Sequence, residues 1–352
     1  LAGMNPISHH PPSLDEVPVS GTNTPLGFLE DAMSGLRCYQ AFVTAYDKGF
    51  FEACRNEASP EEIARATKSI PALAEALCEG LVRIGLLQKT SSGRYLVSRY
   101  TKDFLLADSP FSQRAALAQM RGYARLSLEL ADIMSVGPVT YPRADQFRKV
   151  IIPAMAECSR CGLVQHVTGF VSSLPEFRTA RRLLDLGGGH GLYAIAFSMK
   201  NLELEAVVYD LPEVTVATEQ YIHNYGADRV TTHAGVFFRD PLGNGYDILF
   251  SSSNPSGKIP ALIPKIHAAL NPHGLYINKQ MIDEPETDPF LDLEWNLWAF
   301  EGMPKQGRRF RFEGSVSLEE YNRHLAESGF VVRELIAVDK RSVMTIAQKT
   351  SA

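Results

Sequence analysis

The sequence predicts an α/β protein in which a doubly wound, mostly parallel sheet follows a smaller helical domain. Three observations lead to this fold class. Between Leu26 and about Val150, apolar residues recur at spacings of three and four, the period of a helix that buries one face. After Arg178, short apolar strands alternate with helical segments, as in sheets whose parallel strands are joined by helices. A chain of 352 residues is also long enough for two domains of ordinary size.

Within the helical half, two helices and a hairpin follow one another. Ser59 and Pro60 have the residue types preferred at the cap and first turn of a helix. A second helix is expected over 71–84, because its leucines share one face, and a hairpin over 88–97, because a Ser-Ser-Gly turn divides that segment. This order is typical of winged-helix domains, which often bind DNA. The second helix has a single basic residue, Arg83, so a packing or dimerisation role is favoured over DNA binding.

The second half is predicted to alternate strands and helices. Each strand is a short apolar run, and each helix follows a polar or glycine-containing break and shows helical spacing. The predicted strands are 181–186, 205–209, 230–234, 246–251 and 274–280, the predicted helices are 192–199, 214–225, 259–270 and 317–328, and a further extended segment is 331–338.

The composition indicates which partners and which cellular compartment to expect. The chain has 35 basic and 40 acidic residues, so it lacks the positive field that attracts nucleic acid or an anionic membrane. It contains neither an apolar run of about 18 residues nor a charged-then-apolar signal segment. Five cysteines are an odd number, which argues against a secreted disulfide framework. A cytoplasmic protein without a nucleic-acid or membrane partner is therefore expected.

The turn after the first predicted strand has the features of a cofactor-binding loop. Asp185 lies at the strand end and is followed by Leu186 and a Gly-Gly-Gly-His-Gly run directly before a helix. Such glycines allow a tight turn whose N–H groups approach a ligand, although a dinucleotide would fit the same general logic. The Asp185 carboxylate would repel a pyrophosphate but attract an ammonium or sulfonium group. Asp210, at the end of the second strand, can accept the hydroxyls of a ribose, so the two acids together favour S-adenosylmethionine.

These residues resemble a known family. The segment 183–191 (LLDLGGGHG), the triplet 210–212 (DLP) and the segment 235–238 (GVFF) look like the cofactor motifs of small-molecule O-methyltransferases of the caffeic acid and hydroxyindole type. The segment 59–106 is similar to that family's N-terminal dimerisation domain. The resemblance implies a Rossmann-like class I methyltransferase fold, an N-terminal winged-helix dimerisation domain, a homodimer and an acceptor pocket between the domains.

The resemblance also implies roles for individual residues. Asp185, Gly187 and Gly189 would line the methionine end of S-adenosylmethionine, Asp210 with the adjoining Leu211 would hold the ribose, and Phe237 would pack beside the adenine. In the preceding position this chain has a valine where the family usually has an acid. One adenine contact is therefore expected to be lost or supplied elsewhere.

The sequence departs from the family where the catalytic base is expected. The family's general base is a histidine that precedes an aspartate, and this chain has Ser256 and Gly257 in those two positions. The catalytic base is therefore left unassigned, and the acceptor atom can be oxygen, sulfur, nitrogen or carbon. A non-catalytic dimer that binds the cofactor for regulation is the alternative function.

Five residues are candidates for lining the acceptor pocket. The segment 147–170, which contains Met155 and Cys158, resembles the family helix that runs past this pocket. Trp295, Trp298 and Met303 follow at helical spacing in the region of the family's acceptor-facing helix, although such spacing is also typical of a core. The tryptophans would suit a flat, apolar or aromatic acceptor. A thiol acceptor is also expected to fit, because a thiol ionises more easily than a phenol and so depends less on a catalytic base. Cys158 and Cys161 form one Cys-x-x-Cys motif, and the sequence has no second such motif. No metal site is therefore predicted.

These assignments divide the chain into four parts. Residues 1–20 are expected to be a disordered arm that includes a tag remnant ahead of the first methionine. Residues 21–110 are expected to form the winged-helix-like dimerisation domain and 111–178 the linking and pocket helices. Residues 179–352 are expected to form the domain that binds S-adenosylmethionine.

Overall fold

The computed structural model describes Val19 and the ranges 25–282, 290–302 and 312–350, together with Lys305 and Gly307. The chain divides into two compact units, one that ends at Ser112 and one that begins at Gln113. The predicted arm over 1–20 lies outside the described residues, apart from Val19. Of the helices that the structure describes, none has the length and apolar character needed to cross a membrane.

The first unit contains five helices and one hairpin among its described residues. They are α1 (Pro25–Lys48), α2 (Phe50–Ala53), α3 (Pro60–Ala66), α4 (Pro71–Arg83), β1 (Leu87–Lys89), β2 (Tyr95–Val97) and α5 (Arg99–Phe104). The strands β1 and β2 pair antiparallel, as the sequence predicts. Buried side chains of α2, α3, α4 and β2 form the core of this unit, among them Phe50, Ile63, Leu81 and Tyr95.

A capping box begins α3. The Ser59 hydroxyl accepts a hydrogen bond from the backbone N–H of Glu62 at 3.3 Å, and the Glu62 carboxylate accepts one from the Ser59 N–H at 2.8 Å. Pro60 occupies the first turn, where the absence of its N–H costs nothing. The residue types at this helix start therefore satisfy backbone donors that would otherwise have no partner.

The second unit begins with helices and continues as a regular alternation of strands and helices. The leading part contains α6 (Arg114–Leu128), α7 (Leu130–Val136), β3 (Val139–Tyr141), α8 (Arg143–Gln146), α9 (Ile152–Cys158), α10 (Val164–Ser173) and α11 (Pro175–Thr179), with π-helical segments at Phe147–Ile151 and Ser159–Leu163. The alternating part contains β4 (Arg182–Leu186), α12 (Leu192–Lys200), β5 (Glu205–Asp210), α13 (Pro212–Tyr225), β6 (Val230–Ala234), β7 (Tyr246–Ser252), α14 (Ile263–Ala269), β8 (Leu270–Met281), α15 (Leu291–Asn296), β9 (Trp298–Phe300), α16 (Leu318–Glu327), β10 (Phe330–Asp339) and β11 (Ser342–Lys349).

The main sheet has seven strands in the order β10-β11-β8-β7-β4-β5-β6. Five neighbouring strands, from β8 to β6, are parallel, and β11 pairs antiparallel with both β8 and β10. The predicted doubly wound, mostly parallel sheet is confirmed. Because β4 lies between β5 and β7, the order of the strands reverses at β4, and ligands of such sheets bind outside the carboxyl ends of the strands at this point.

Two apolar cores cover the two faces of the sheet. Leu183 of β4 and Phe250 of β7 pack against α12 on one face. Leu184 and Tyr276 lie on the other face with α14 and α16. The alternation of side chains along β4 thus leaves Asp185 on the same face as Leu183, at the end of the strand.

Two predicted elements differ from the structure. The helix predicted over 259–270 is a 3-10 turn at Pro260–Leu262 followed by the shorter α14, because prolines interrupt the segment. The stretch predicted to be helical up to about Val150 contains β3, which pairs in parallel with β9. Trp298 therefore lies in a strand, and its helical spacing from Trp295 does not reflect one continuous helix. The partner strands are far apart in sequence, so no local pattern predicts this pair.

We expect Ser59→Ala to lower the free energy of unfolding by about 1 kcal/mol, since the capping box loses a backbone partner. Chemical denaturation of the two proteins measures the difference. Ser91→Ala, in the exposed hairpin turn of the same unit, is the control and should change the free energy of unfolding by less than about 0.5 kcal/mol. Equal losses in both variants would contradict a specific role of the cap.

Candidate functional site

The turn between β4 and α12 has a backbone that requires glycine. Gly187, Gly189 and Gly191 have φ angles of 66°, 55° and 69°, in the left-handed region that other residues rarely adopt. Gly191 is also the N-cap residue directly before α12. The turn therefore places a run of backbone N–H groups at the start of a helix, next to the carboxyl end of the central strand.

Gly188, to which the sequence motifs assign no role, lies directly against Asp185. A Cβ atom at this position would lie 2.5 Å from Cγ of Asp185 and 2.6 Å from one of its carboxylate oxygens. The backbone of Gly188 is not left-handed, so the glycine is needed only because the acid lies directly against it. No local sequence signal could have shown this, since it depends on the direction in which the Asp185 side chain points.

Asp185 is a fully buried carboxylate without a partner. Its exposure is 0%, and neither carboxylate oxygen has a hydrogen-bond partner among the described residues. Burial, together with the charge of Asp210, raises the pKa of Asp185 to about 8. An unpaired buried acid is costly, so the site fits a ligand that brings a positive charge.

Asp210 connects the end of β5 with the glycine turn. One carboxylate oxygen accepts a hydrogen bond from the N–H of Gly189 at 2.8 Å, and the other accepts one from the N–H of Leu211 at 2.7 Å. Burial raises the pKa of Asp210 to about 6, although these two hydrogen bonds favour the ionised form. Each carboxylate oxygen has a second lone pair, so Asp210 can still accept hydroxyl donors such as those of a ribose.

The turn after β6 is fixed by backbone contacts. Phe237 is buried and stacks at a tilt against Phe238, with 4.7 Å between ring centroids. The ammonium of Lys265 donates to the carbonyl oxygens of both phenylalanines at 3.1 Å. Asp240 accepts a hydrogen bond from the N–H of Val236 at 2.8 Å.

His190, inside the glycine run, has a structural role. Its Nδ1 accepts a hydrogen bond from the N–H of Leu192 at 3.1 Å, and its Nε2 lies 3.2 Å from the hydroxyl of Ser159. Burial lowers the pKa of His190 to about 4, so the imidazole is neutral at physiological pH. It joins the glycine turn to the π-helical segment after α9.

Ser256, in the position of the family's base, is enclosed and already hydrogen-bonded. Its exposure is 0%, and its hydroxyl donates to the Asn254 side-chain oxygen at 2.5 Å and lies 3.0 Å from the hydroxyl of Ser251. The Ser256 carbonyl oxygen accepts a hydrogen bond from the Tyr321 hydroxyl at 3.1 Å. The Ser256 hydroxyl proton is therefore directed at Asn254, within an enclosed part of the loop.

Asn254 holds this loop against the cofactor turn. Its side-chain N–H₂ donates to the carbonyl oxygen of Leu186 at 2.7 Å, and a Cβ at Gly187 would lie 2.7 Å from the same nitrogen. The loop after β7 thus lies directly beside the glycine turn. The sequence reasoning assigned no role to Asn254, and its position follows only from the pairing of β4 with β7.

Met155 and Cys158 lie on one helix near the glycine turn. The side chain of Ile152, also on α9, comes within 3.3 Å of a Cβ placed at Gly189, and both Met155 and Cys158 are exposed. Burial raises the pKa of both Cys158 and Cys161, so these thiols are protonated at neutral pH. No group of three metal-ligating side chains occurs within the described part of the chain.

Trp295 and Trp298 are buried around a lysine. The ammonium of Lys305 lies 4.1 Å from the Trp295 ring centroid and 3.4 Å from that of Trp298, and burial lowers the pKa of Lys305 to about 8. Trp298 and Phe300 also line a cavity of about 200 Å³ together with residues of α6 and of the first π-helical segment. Met303 lies outside the described residues.

Comparison with known proteins shows that this chain is similar to methyltransferases. The sequence pattern of the O-methyltransferase domain matches residues 139–310. An uncharacterized protein of Methanocaldococcus jannaschii is 33% identical over 93% of this chain and 89% of its own length, and the N,N-dimethyltransferase OxyT of Streptomyces rimosus is 25% identical over 90% of this chain and 96% of its own length. The crystal structure of human N-acetylserotonin methyltransferase in complex with S-adenosylmethionine has a TM-score of 0.70 and 21% identity, and the match covers 94% of this chain and 99% of that one.

We expect Gly188→Ala to weaken S-adenosylmethionine binding by about 10- to 100-fold, because the new methyl group displaces the Asp185 carboxylate. Isothermal titration calorimetry measures the affinity. Gly80→Ala is the matched control, since a Cβ there meets no atom within 4 Å, and its affinity should equal that of the wild type. Unchanged binding by Gly188→Ala would place the cofactor elsewhere.

A second prediction concerns pH. The pKa of Asp185 is about 8 in the folded chain and ~3.9 in an unfolded one. Between these two pH values the carboxyl is protonated in the folded chain and ionised in the unfolded chain. The free energy of unfolding therefore falls as the pH rises through this range. Without cofactor, the wild type should therefore lose stability relative to Asp185→Asn from about pH 5 to about pH 8. Urea unfolding across this range measures the difference, and parallel curves for the two proteins would contradict the buried, unpartnered acid.

Proposed function

This chain belongs to the family of S-adenosylmethionine-dependent methyltransferases that share the O-methyltransferase domain, and on that premise we propose that it methylates a small-molecule acceptor without a histidine base. The observation that carries the proposal is the unpartnered carboxylate of Asp185 beside Gly188, at the carboxyl end of the central strand. When bound, S-adenosylmethionine supplies a methyl group activated on a sulfonium.

The described residues fit each part of this cofactor. Asp185 offers a negative charge to the cationic methionine end, and the backbone of Gly187 and Gly189 permits close approach. Asp210, with Leu211 next to it, offers acceptors to the ribose hydroxyls, and the Phe237 ring offers an apolar surface to the adenine. These assignments are those implied by the family motifs, and the burial of Asp185 without a hydrogen-bond partner among the described residues supports them independently.

The acceptor must lose its proton to a group other than Ser256, or need no base. A positioned general base contributes about 10²- to 10⁴-fold to a rate, so the loss of the histidine matters most for a weakly acidic hydroxyl. A thiol ionises more easily, and an amine needs orientation more than deprotonation. The Streptomyces rimosus relative is an N,N-dimethyltransferase, which supports keeping nitrogen among the acceptor atoms.

We place the acceptor near α9 and the aromatic cavity. Met155 and Cys158 are exposed on α9, whose Ile152 contacts the glycine turn. The cavity lined by Trp298 and Phe300 has about 200 Å³ and aromatic walls, which suit a flat, small acceptor. Trp295 contributes to this region by packing against Trp298 at 5.2 Å between ring centroids.

We further propose that the first unit serves as a dimerisation domain. Helix α1 exposes a row of large apolar side chains, with Leu26 at 65% and Phe28 at 70% exposure, followed by Leu29, Met33 and Leu36. Such a row in water is unfavourable unless another surface covers it, and a second copy of this chain is the occupant we propose. The five free cysteines support a reducing, cytoplasmic location.

Transfer of tritium from methyl-labelled S-adenosylmethionine to thiol, amine and phenol probes tests the function. We expect transfer to at least one class, and Ser256→Ala should keep kcat within about threefold, because its hydroxyl only supports the loop. Asp210→Ala should weaken cofactor binding about tenfold or more, while Asp228→Ala, at an exposed position before β6, should not. A wild type that binds no S-adenosylmethionine in calorimetry would refute the proposal, and loss of activity in Ser256→Ala would restore that residue as a candidate base.

A further inference from the structure

A buried lysine lies at the same edge of the sheet as the cofactor turn. Lys279 of β8 has an exposure of 3%, and its ammonium donates a hydrogen bond to the hydroxyl of Ser253 at 3.2 Å. The backbone N–H of Ser253 donates in turn to the carbonyl oxygen of Lys279 at 2.8 Å. The two residues are therefore held together by one side-chain and one backbone hydrogen bond.

Ser253 connects this buried amine with the candidate site. It follows the last residue of β7, is exposed, and has a φ angle of 54°, a left-handed conformation that is uncommon for serine. The next residue, Asn254, packs against Gly187 of the cofactor turn. Since β7 and β4 are parallel neighbours, the hydroxyl of Ser253 lies at the edge of the sheet where ligands of this fold bind.

The surroundings of Lys279 disfavour its charged form. Burial lowers the pKa of Lys279, and the charge of Asp339 on β10 opposes that effect only partly. Tyr193 of α12 and Asp185 of β4 also lie on this face, and burial raises the pKa of both, so both favour their neutral forms. Among the described residues, no carboxylate forms an ion pair with Lys279.

We propose that Ser253 and Lys279 form a proton relay that replaces the missing histidine and that the acceptor is a hydroxyl, an inference that rests on the proposed methyl transfer. The acceptor hydroxyl gives its proton to Oγ of Ser253 while the Ser253 proton passes to the lone pair of the neutral Lys279 amine. The acceptor oxygen forms the new bond to the methyl carbon, and the electron pair of the broken carbon–sulfur bond stays on sulfur. The products are a methyl ether, S-adenosylhomocysteine and a Lys279 ammonium, which then loses its proton to water.

The relay specifies a class of acceptor. A phenol has a pKa of ~10, close to the ~10.4 of an ordinary lysine. An amine whose pKa is lowered is a weaker base than an ordinary lysine. It can therefore take a phenol's proton only through a short, positioned path. An acceptor that is already ionised does not need the relay at all. The requirement for the relay therefore rises as the acceptor becomes less acidic.

The ionisation of Lys279 can be measured without any turnover. In protein labelled with ¹³C at the lysine Cε, the signal absent from Lys279→Arg belongs to Lys279, and its chemical shift is followed against pH. Because burial lowers the pKa of Lys279, we expect its titration below the ordinary ~10.4. A titration at or above that value would leave Lys279 charged at working pH and would overturn the relay.

The chemistry is tested with two phenols of different acidity, 4-methylphenol and 4-nitrophenol. We expect Lys279→Met, Lys279→Arg and Ser253→Gly each to lower kcat for 4-methylphenol by about tenfold or more, with little change in KM. Transfer to 4-nitrophenol, which is largely ionised at pH 8, should stay within about threefold of the wild type. Glycine is chosen at 253 because it accepts the left-handed backbone, and Lys349→Met, at the far end of the adjoining strand, is the control.

The possible outcomes separate the relay from the function on which it rests. If Lys279→Arg kept the wild-type activity, residue 279 would act as an anchoring charge and not as a proton acceptor. If the variants lost activity equally with both phenols, the residues would have a structural role. Either result overturns the relay. A wild type that methylates thiols or amines but neither phenol would overturn the relay and leave the proposed methyl transfer intact. A wild type that methylates no probe of any class would refute both.

Discussion

The rest of the site depends on one buried acidic side chain at the end of the central strand. Asp185 lies at the carboxyl end of β4 with no exposure and with no partner for its two oxygens among the described residues. Its side chain occupies the space that a Cβ of Gly188 would need, so the composition of the turn follows from the position of the acid. Burial of the acid without a partner favours its protonated form, and the cationic ligand that we propose would favour the ionised form, so cofactor binding and protonation would be linked equilibria.

The strands on both sides of β4 complete the turn. From β5, Asp210 binds the N–H of Gly189, and from α13 the Thr218 hydroxyl donates to the Gly189 carbonyl oxygen at 2.6 Å. From the loop after β7, Asn254 binds the carbonyl oxygen of Leu186. The backbone around Gly189 is therefore fixed from two directions before any ligand arrives, and a fixed backbone costs less to organise on binding.

The loop after β7 contains Ser256, in the position that the family resemblance assigns to a histidine. Ser251, Asn254 and Ser256 bind one another in an enclosed network, and the hydroxyl of Tyr321 closes it from α16. This network supports the loop. On the opposite face of β8 the loop contacts a buried amine, the side chain of Lys279, which the proposed relay uses as its proton acceptor.

The sequence by itself determined the fold class, most strands of the main sheet, the cap at Ser59 and the two acids Asp185 and Asp210, because each of these follows from neighbouring residues or from a regular period. Only the tertiary structure decided that Gly188 must lack a side chain, that Trp298 lies in a strand, and that Lys279 meets the loop after β7. These features depend on contacts between segments distant along the chain. Such contacts are set by how strands pair and helices pack, and no local pattern of residues encodes them.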